Sequence, residues 1–202
     1  MKYFFLILLG MTVLSCKSQT KTDLLALKFD ESISGIAQAD PQLKKDQDPN
    51  LGLNAFRTNQ PGNYNIGEIK LSTYSFPTGY PADYNQLYLF VDNKDQASYL
   101  GFKYNTVHQE ETKAIINYLK KTYPKYEERA TQGNGESFFW DLPTLNAWVF
   151  VDQGISKDKN AKQFLSTNFI YVKRGTRMEN SKDSKVITIK EYDKMMYPDV
   201  LK

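Results

Sequence analysis

Side chains able to do chemistry are few in this chain, and most carry a plain structural explanation. There is one His (His108) and one Cys (Cys16), so multi-His metal centres, Cys-based zinc sites and intramolecular disulfides are excluded. No Gly-x-Ser-x-Gly elbow, Ser-x-x-Lys pair, Walker loop or dinucleotide glycine pattern occurs. Carboxylates remain. Glu110-Glu111 and Glu127-Glu128 have the residue type for paired acid–base work, and a glycosidase-like site would need two carboxyls about 5–9.5 Å apart in one cleft. The first pair falls in the first turn of a predicted helix, where negative charge is favoured, and the second adjoins Arg129. Both pairs therefore read as solvated surface charge. His108 reads as a solvated residue at the same helix start, its cation disfavoured by the dipole. Asp92-Asn93-Lys94-Asp95 bunches oxygens but lacks the alternate spacing, central Gly and terminal Glu of a calcium loop, so a hairpin turn is expected. Gly133-Asn134-Gly135 reads as a second turn. Lys173, Arg174, Arg177, Lys182 and Lys185, interleaved with Glu179 and Asp183, form a polar loop and a secondary candidate for anionic lipid or lipopolysaccharide phosphates. The expectation is no catalytic residue, no metal and no cofactor.

Aromatic residues make the more informative constellation. In the segment around Leu87, period two places Leu87, Leu89 and Val91 on one face and Tyr88 and Phe90 on the other. Around Ala147 it places Ala147, Val149 and Val151 together and Trp148 and Phe150 opposite. The aliphatic face should pack helices. The face bearing Tyr88, Phe90, Trp148 and Phe150 is either a second core layer or an open platform for a partner, since Tyr and Trp are enriched among interface hot spots. These four are the candidate binding face. If they are buried, loops 46–64 and 154–163 are the next candidates.

The N-terminus supplies an address. Met1-Lys2 precedes an apolar run over 3–14, then Ser15-Cys16. A short positive start, an apolar stretch too short to cross a bilayer and a small residue form a secretory signal. Val13-Leu14-Ser15-Cys16 resembles the lipobox of bacterial lipoproteins, a resemblance that covers the first sixteen residues. It implies cleavage before Cys16 by signal peptidase II, a diacylglycerol thioether on Cys16 and a third acyl chain on its new amine. Several chains matter, because each buried CH₂ is worth about 0.8 kcal/mol and one chain anchors only marginally. Lys17 stands where an Asp would imply inner-membrane retention, and no acidic run follows. The resemblance therefore implies an outer-membrane anchor facing the periplasm.

Around these residues the chain has the composition of a folded domain. Of 202 residues, 41% are hydrophobic and 14% aromatic, which excludes a disordered chain. A mean hydropathy of -0.56 excludes a multi-span membrane protein, and a net charge of +3 offers no basic stripe for nucleic acid. Apolar alternation predicts strands over 24–29, 68–76, 86–92, 99–104, 126–130, 137–142, 147–152, 164–173 and 185–190. A helix is predicted over 107–123, opened by a Thr106–Gln109 capping box and stopped by Pro124, and a weaker one from Ser32. Residues 46–64 read as an irregular excursion. The organisation expected is a signal peptide over 1–15, a tether over 16–23 and one domain over 24–202. Leu25–Ser32 matches Leu100–Val107 in pattern, and Tyr88–Asp92 matches Trp148–Asp152, suggesting related units over 25–99 and 100–173. The fold class expected is α+β, with a mostly antiparallel sheet and few helices. At architecture level this is similar to the tandem helix-plus-sheet units of β-lactamase-inhibitor proteins and small outer-membrane-assembly lipoproteins. The function expected is a non-enzymatic, lipid-anchored module that binds another envelope protein. The alternatives are a small-ligand or glycan-binding lipoprotein and a carboxylate-based hydrolase. A cavity with convergent polar groups would favour a small ligand, and a flat exposed aromatic sheet would favour a protein.

Overall fold

The computed structural model describes residues 21–74, 85–92, 97–131, 133 and 135–202. In chain order the elements are β1 (Thr22–Asp23), α1 (Ser34–Ala39), β2 (Lys44–Gln47), β3 (Asn54–Thr58), β4 (Tyr64–Ile66), β5 (Ile69–Lys70), β6 (Gln86–Val91) and β7 (Tyr99–Thr106). There follow α2 (Gln109–Thr122), β8 (Glu127–Arg129), β9 (Ser137–Leu142), β10 (Ala147–Lys157), β11 (Gln163–Lys173) and α3 (Ile189–Met196). Eight strands make one sheet in the order β2-β3-β6-β7-β11-β10-β9-β8, and every neighbouring pair is antiparallel. Strands β1, β4 and β5 form a small separate sheet. The chain is an α+β protein dominated by its sheet.

The strand order reads symmetrically about the β7–β11 seam. On one side α1 is followed by the meander β2-β3-β6-β7, and on the other α2 is followed by β8-β9-β10-β11. Phe90 and Phe150 lie on the third strand of each meander. By strand order β7 lies in the first of these meanders, whereas the sequence pattern groups residues from Leu100 onward with the second. Residues 24–29, expected as a strand, fold as turns instead: Asp23 Oδ1 accepts from Leu25 N at 3.1 Å, and Asp30 sits at a φ of 66°. At the seam Gly101 has a φ of 142°, and a Cβ there would stand 2.0 Å from the Tyr171 carbonyl oxygen. Only glycine lets the two meanders close at that point.

Both faces of the sheet are covered. On one, the rows Leu89–Phe102–Tyr171–Val149–Trp140 and Leu87–Tyr104–Phe169–Val151–Phe138 pack under Ile115, Ile116 and Leu119 of α2. Burying each such side chain is worth about 1.5–3 kcal/mol. The other face lies under α3 and the loop 48–53, which place Ile189, Leu51 and Leu53 on it. Two elements depart from the sequence pattern here. Residues 185–190, expected as a strand, lead into α3, whose start is fixed by a capping box: Thr188 accepts from Glu191 N, and Glu191 accepts from Thr188 N. Residues 46–64, expected to be irregular, contain β3, which pairs with β2 as a hairpin. The expected helix over 107–123 is α2, but its capping box does not form. Thr106 Oγ1 accepts from His108 N, and Gln109 Nε2 donates to the carbonyls of Val107 and Leu165.

Candidate functional site

Tyr88, Phe90, Trp148 and Phe150 come together on one face of the sheet, as their alternation implies, and all four are buried. Their exposures are 6%, 0%, 7% and 0%, within a cluster that includes Phe139, Leu51, Leu53 and Ile189. They form the second core layer, so the open aromatic platform is corrected to an interior one. The cause is the cap supplied by α3, in a stretch whose Val186-Ile187-Thr188-Ile189 run imitates a strand. Cys16 and the tether up to Thr20 lie outside the described residues, as do Asn93, Lys94 and Asp95 of the expected hairpin turn.

The other sequence candidates also find places. His108 is the N-cap residue of α2, half-buried, with its ring 4.8 Å from that of Tyr74. Glu111, expected on the surface, is buried and accepts hydrogen bonds from Ser72 N, Asn85 Nδ2 and the Tyr104 hydroxyl. It ties α2 to the sheet. Of the basic run, Lys173 pairs with Asp30, Arg174 pairs with Asp141 at 2.8 Å, and Arg177 donates to the Val186 carbonyl.

A different constellation emerges from the strand register. Gln86, Asn105, Asn168, Asp152, Ser137 and Arg129 stand directly opposite one another on β6, β7, β11, β10, β9 and β8. Directly opposed residues share a face, so these six form one polar row across the sheet, on the same face as the buried aromatics. Lys103, one row away, adds a cation. The β8–β10 end of the row is buried, whereas Gln86, Asn105 and Asn168 are half-exposed. Where α3 crosses the row it leaves a cleft of ≈ 150 Å³, to which Lys103, Asp152, Asn168, Tyr192, Asp193 and Tyr197 contribute.

Buried charges in this cleft are held by named partners. Lys103 Nζ lies 2.8 Å from Asp48 Oδ2, with both side chains almost wholly buried. Asp48 Oδ1 in turn accepts from Asn50 N at 3.1 Å and Leu51 N at 2.7 Å, so one carboxylate shapes the β2–β3 loop and neutralises a strand lysine. Arg129 donates to Asp193 at 2.5 Å and to Glu127 at 2.7 Å, tying α3 to β8. Among the described residues Asp152 accepts only the Ser137 hydroxyl, at 2.9 Å. Burial pushes its carboxyl up to about 7, against the pull of the Ser137 hydrogen bond and the Arg129 and Lys103 charges. Burial also raises Asp193, to about 8, helped by the Asp152 charge and opposed by Arg129. The two carboxyls titrate as a pair near neutrality. A second buried oxygen in the row, Asn105 Oδ1, has no hydrogen-bond partner among the described residues.

This arrangement has a sign for stability. A carboxyl raised from 3.8 to about 7 on folding binds its proton more tightly in the native state. Its contribution is fully present below the unfolded value and is lost as pH rises through the folded one, at up to about 1.4 kcal/mol per pH unit. Asn can accept the Ser137 hydrogen bond without titrating. Asp152→Asn is therefore expected to melt above the wild type at pH 8, and the difference should close toward pH 4. Denaturation curves across that range check this, and an Asp152→Asn chain less stable at pH 8 than the wild type would contradict it.

None of Asp48, Lys103, Asp152, Asn168 or Asp193 stands out in the sequence as a site residue. Their spacing has no local period, since they meet only through the pairing of non-adjacent strands and the return of α3. The one available signal was Thr188-Ile189-Lys190-Glu191, which marks the helix that closes the cleft. Compared with family models, with curated proteins and with solved structures, the chain matches none.

Proposed function

We propose that this chain is a lipid-anchored, non-enzymatic binding module of the cell envelope, and that its ligand is a small polar molecule or the polar end of a larger one. The observation that supports this is the convergence of Lys103, Asp152, Asn168 and Asp193, with Tyr192 and Tyr197, on one cleft between the sheet and α3. Convergent polar groups with raised carboxyls in a concavity are what small-ligand sites use. Burial of Tyr88, Phe90, Trp148 and Phe150 removes the flat aromatic surface on which protein binding was expected. Native mass spectrometry of the chain released gently from its own envelope tests the reading. A co-purifying small molecule is expected with the wild type and lost from the Asp152→Asn variant. Bare protein in both would overturn it.

A protein partner is supported by a separate feature. Met195, Met196, Val200 and Leu201 are exposed at 70%, 53%, 54% and 66%. Residues 199–202 are held against β8, with Ala130 N donating to the Asp199 carbonyl and Leu201 N to that of Glu128. Exposed methionines and aliphatics close together in the chain suit an adaptable protein contact. Crosslinking in the envelope, with and without Leu201→Asp, separates this reading from the first.

The anchor is tested independently of either. Cys16→Ala is expected to abolish incorporation of labelled fatty acid and to leave an uncleaved or soluble species. An outer-membrane, periplasm-facing location is part of the same proposal. A Cys16→Ala chain that still takes up label would overturn it.

A further inference from the structure

The buried charges around the cleft do not balance. Three buried carboxylates, Asp48, Asp152 and Asp193, face two buried cations, Lys103 and Arg129. Lys103 is committed to Asp48, and Arg129 to Asp193 and to Glu127, whose side chain is 44% exposed. Asp152, 7% exposed, keeps only a hydroxyl partner, and among the described residues no basic group lies within ion-pair distance of it. A buried carboxylate so placed takes up either a proton or a cation from outside.

Building on the small-ligand reading above, we propose that the cleft binds an organic ammonium group, with Asp152 as its ion-pair partner. An ammonium carries three donors and no acceptor. The carboxylate of Asp152, that of Asp193 and the side-chain oxygen of Asn168 are acceptors on the same cleft. The rings of Phe150, Tyr192 and Tyr197 also line it, and such faces attract cations. The size fits a compact guest, because a cavity of about 150 Å³ accepts a molecule as large as benzene. A bare metal ion fits less well: among the described residues no three His, Cys, Asp or Glu side chains are grouped to hold one. An anion would meet the Asp152 carboxyl, which has no cationic partner of its own, and be repelled by its ionised form.

Proton and ammonium then compete for Asp152. The groups around it are Ser137 on β9, Arg129 on β8, Lys103 on β7 and Asn168 on β11, with Glu127 paired to Arg129 and Asp48 to Lys103. From α3 and the residue after it come Tyr192, Asp193 and Tyr197. With Asp152 titrating at about 7, raising the pH empties the site of its proton and opens it to the ligand. Affinity should rise roughly tenfold between pH 6 and pH 8.

The test uses the full chain in detergent and three probes of similar size: propylammonium, propan-1-ol and propionate. Isothermal titration and thermal melts at pH 6 and pH 8 read binding. Propylammonium is expected to bind, with roughly tenfold higher affinity at the higher pH, and the other two are not. Asp152→Asn should stay folded and lose both the binding and its pH dependence. Should that variant fail to fold, the wild-type pH series still decides. Propan-1-ol or propionate binding as tightly as propylammonium would overturn the ammonium assignment while leaving the cleft a ligand site. Undiminished propylammonium binding by folded Asp152→Asn, or affinity that does not rise with pH, would also overturn it. If no probe binds at either pH, the assignment and the ligand-binding reading fall together.

Discussion

Trp148→Ala is expected to lower the unfolding free energy by about 3–5 kcal/mol, the range for deleting a large aromatic from a packed interior. Trp148 belongs to the second core layer, opposite Val172 on β11 and Asp141 on β9, with Lys190 Nζ 5.8 Å from its ring centre. Truncation would leave a void that the sheet backbone cannot fill. Trp148→Phe separates packing from polarity. The indole Nε1 is buried with no hydrogen-bond partner among the described residues, so Phe gives up no hydrogen bond and removes an unsatisfied donor. Its loss should be well below that of the Ala variant, about 1–2 kcal/mol. Denaturant unfolding of the three chains measures both steps. A Trp148→Ala chain as stable as the wild type would mean that the α3 cover does not stay on this face in solution.

How much of this was legible beforehand depends on the range of the interactions. The alternation in Leu87–Val91 and Ala147–Val151 assigned each residue to its correct face, because a strand's period is local. Strand β9 and the first half of β10 were readable for the same reason, but β10 runs on to Lys157 and pairs with β11 from Gln163, so part of the loop expected over 154–163 is a long hairpin instead. Whether the Trp148 face was open could not be read, since that turns on α3, 40 residues further on, whose first residues alternate like a strand. Leu25-Ala26-Leu27 misled in the opposite way: the pattern of a strand is present, but Asp23 and Asp30 turn the chain on both sides of it. Glu111 looked like helix surface charge because its partners, Ser72, Asn85 and Tyr104, come from three other segments. The polar row from Gln86 to Arg129 is the extreme case. Each member is an ordinary strand residue, and only the register of six strands makes them neighbours.

Lys103→Met is expected to cost about 3–5 kcal/mol, because it leaves the fully buried Asp48 carboxylate without its cation. Met matches the lysine stem in length, so little packing is lost, and the penalty is mainly electrostatic. Asp48 would keep its hydrogen bonds from Asn50 N and Leu51 N on Oδ1, but Oδ2 would lose its only partner among the described residues. The double variant Lys103→Met with Asp48→Asn should recover most of the loss, since an amide can hold the same loop hydrogen bonds without a buried charge. A double-mutant cycle then gives a favourable coupling energy of several kcal/mol, whereas additive losses would show that the two side chains do not interact in solution. The pair also bears on the site. Removing Lys103 and Asp48 together leaves the charge balance of the cleft unchanged and Asp152 still unpaired. The double variant should therefore fold, with Asp152 carrying the same uncompensated charge as in the wild type.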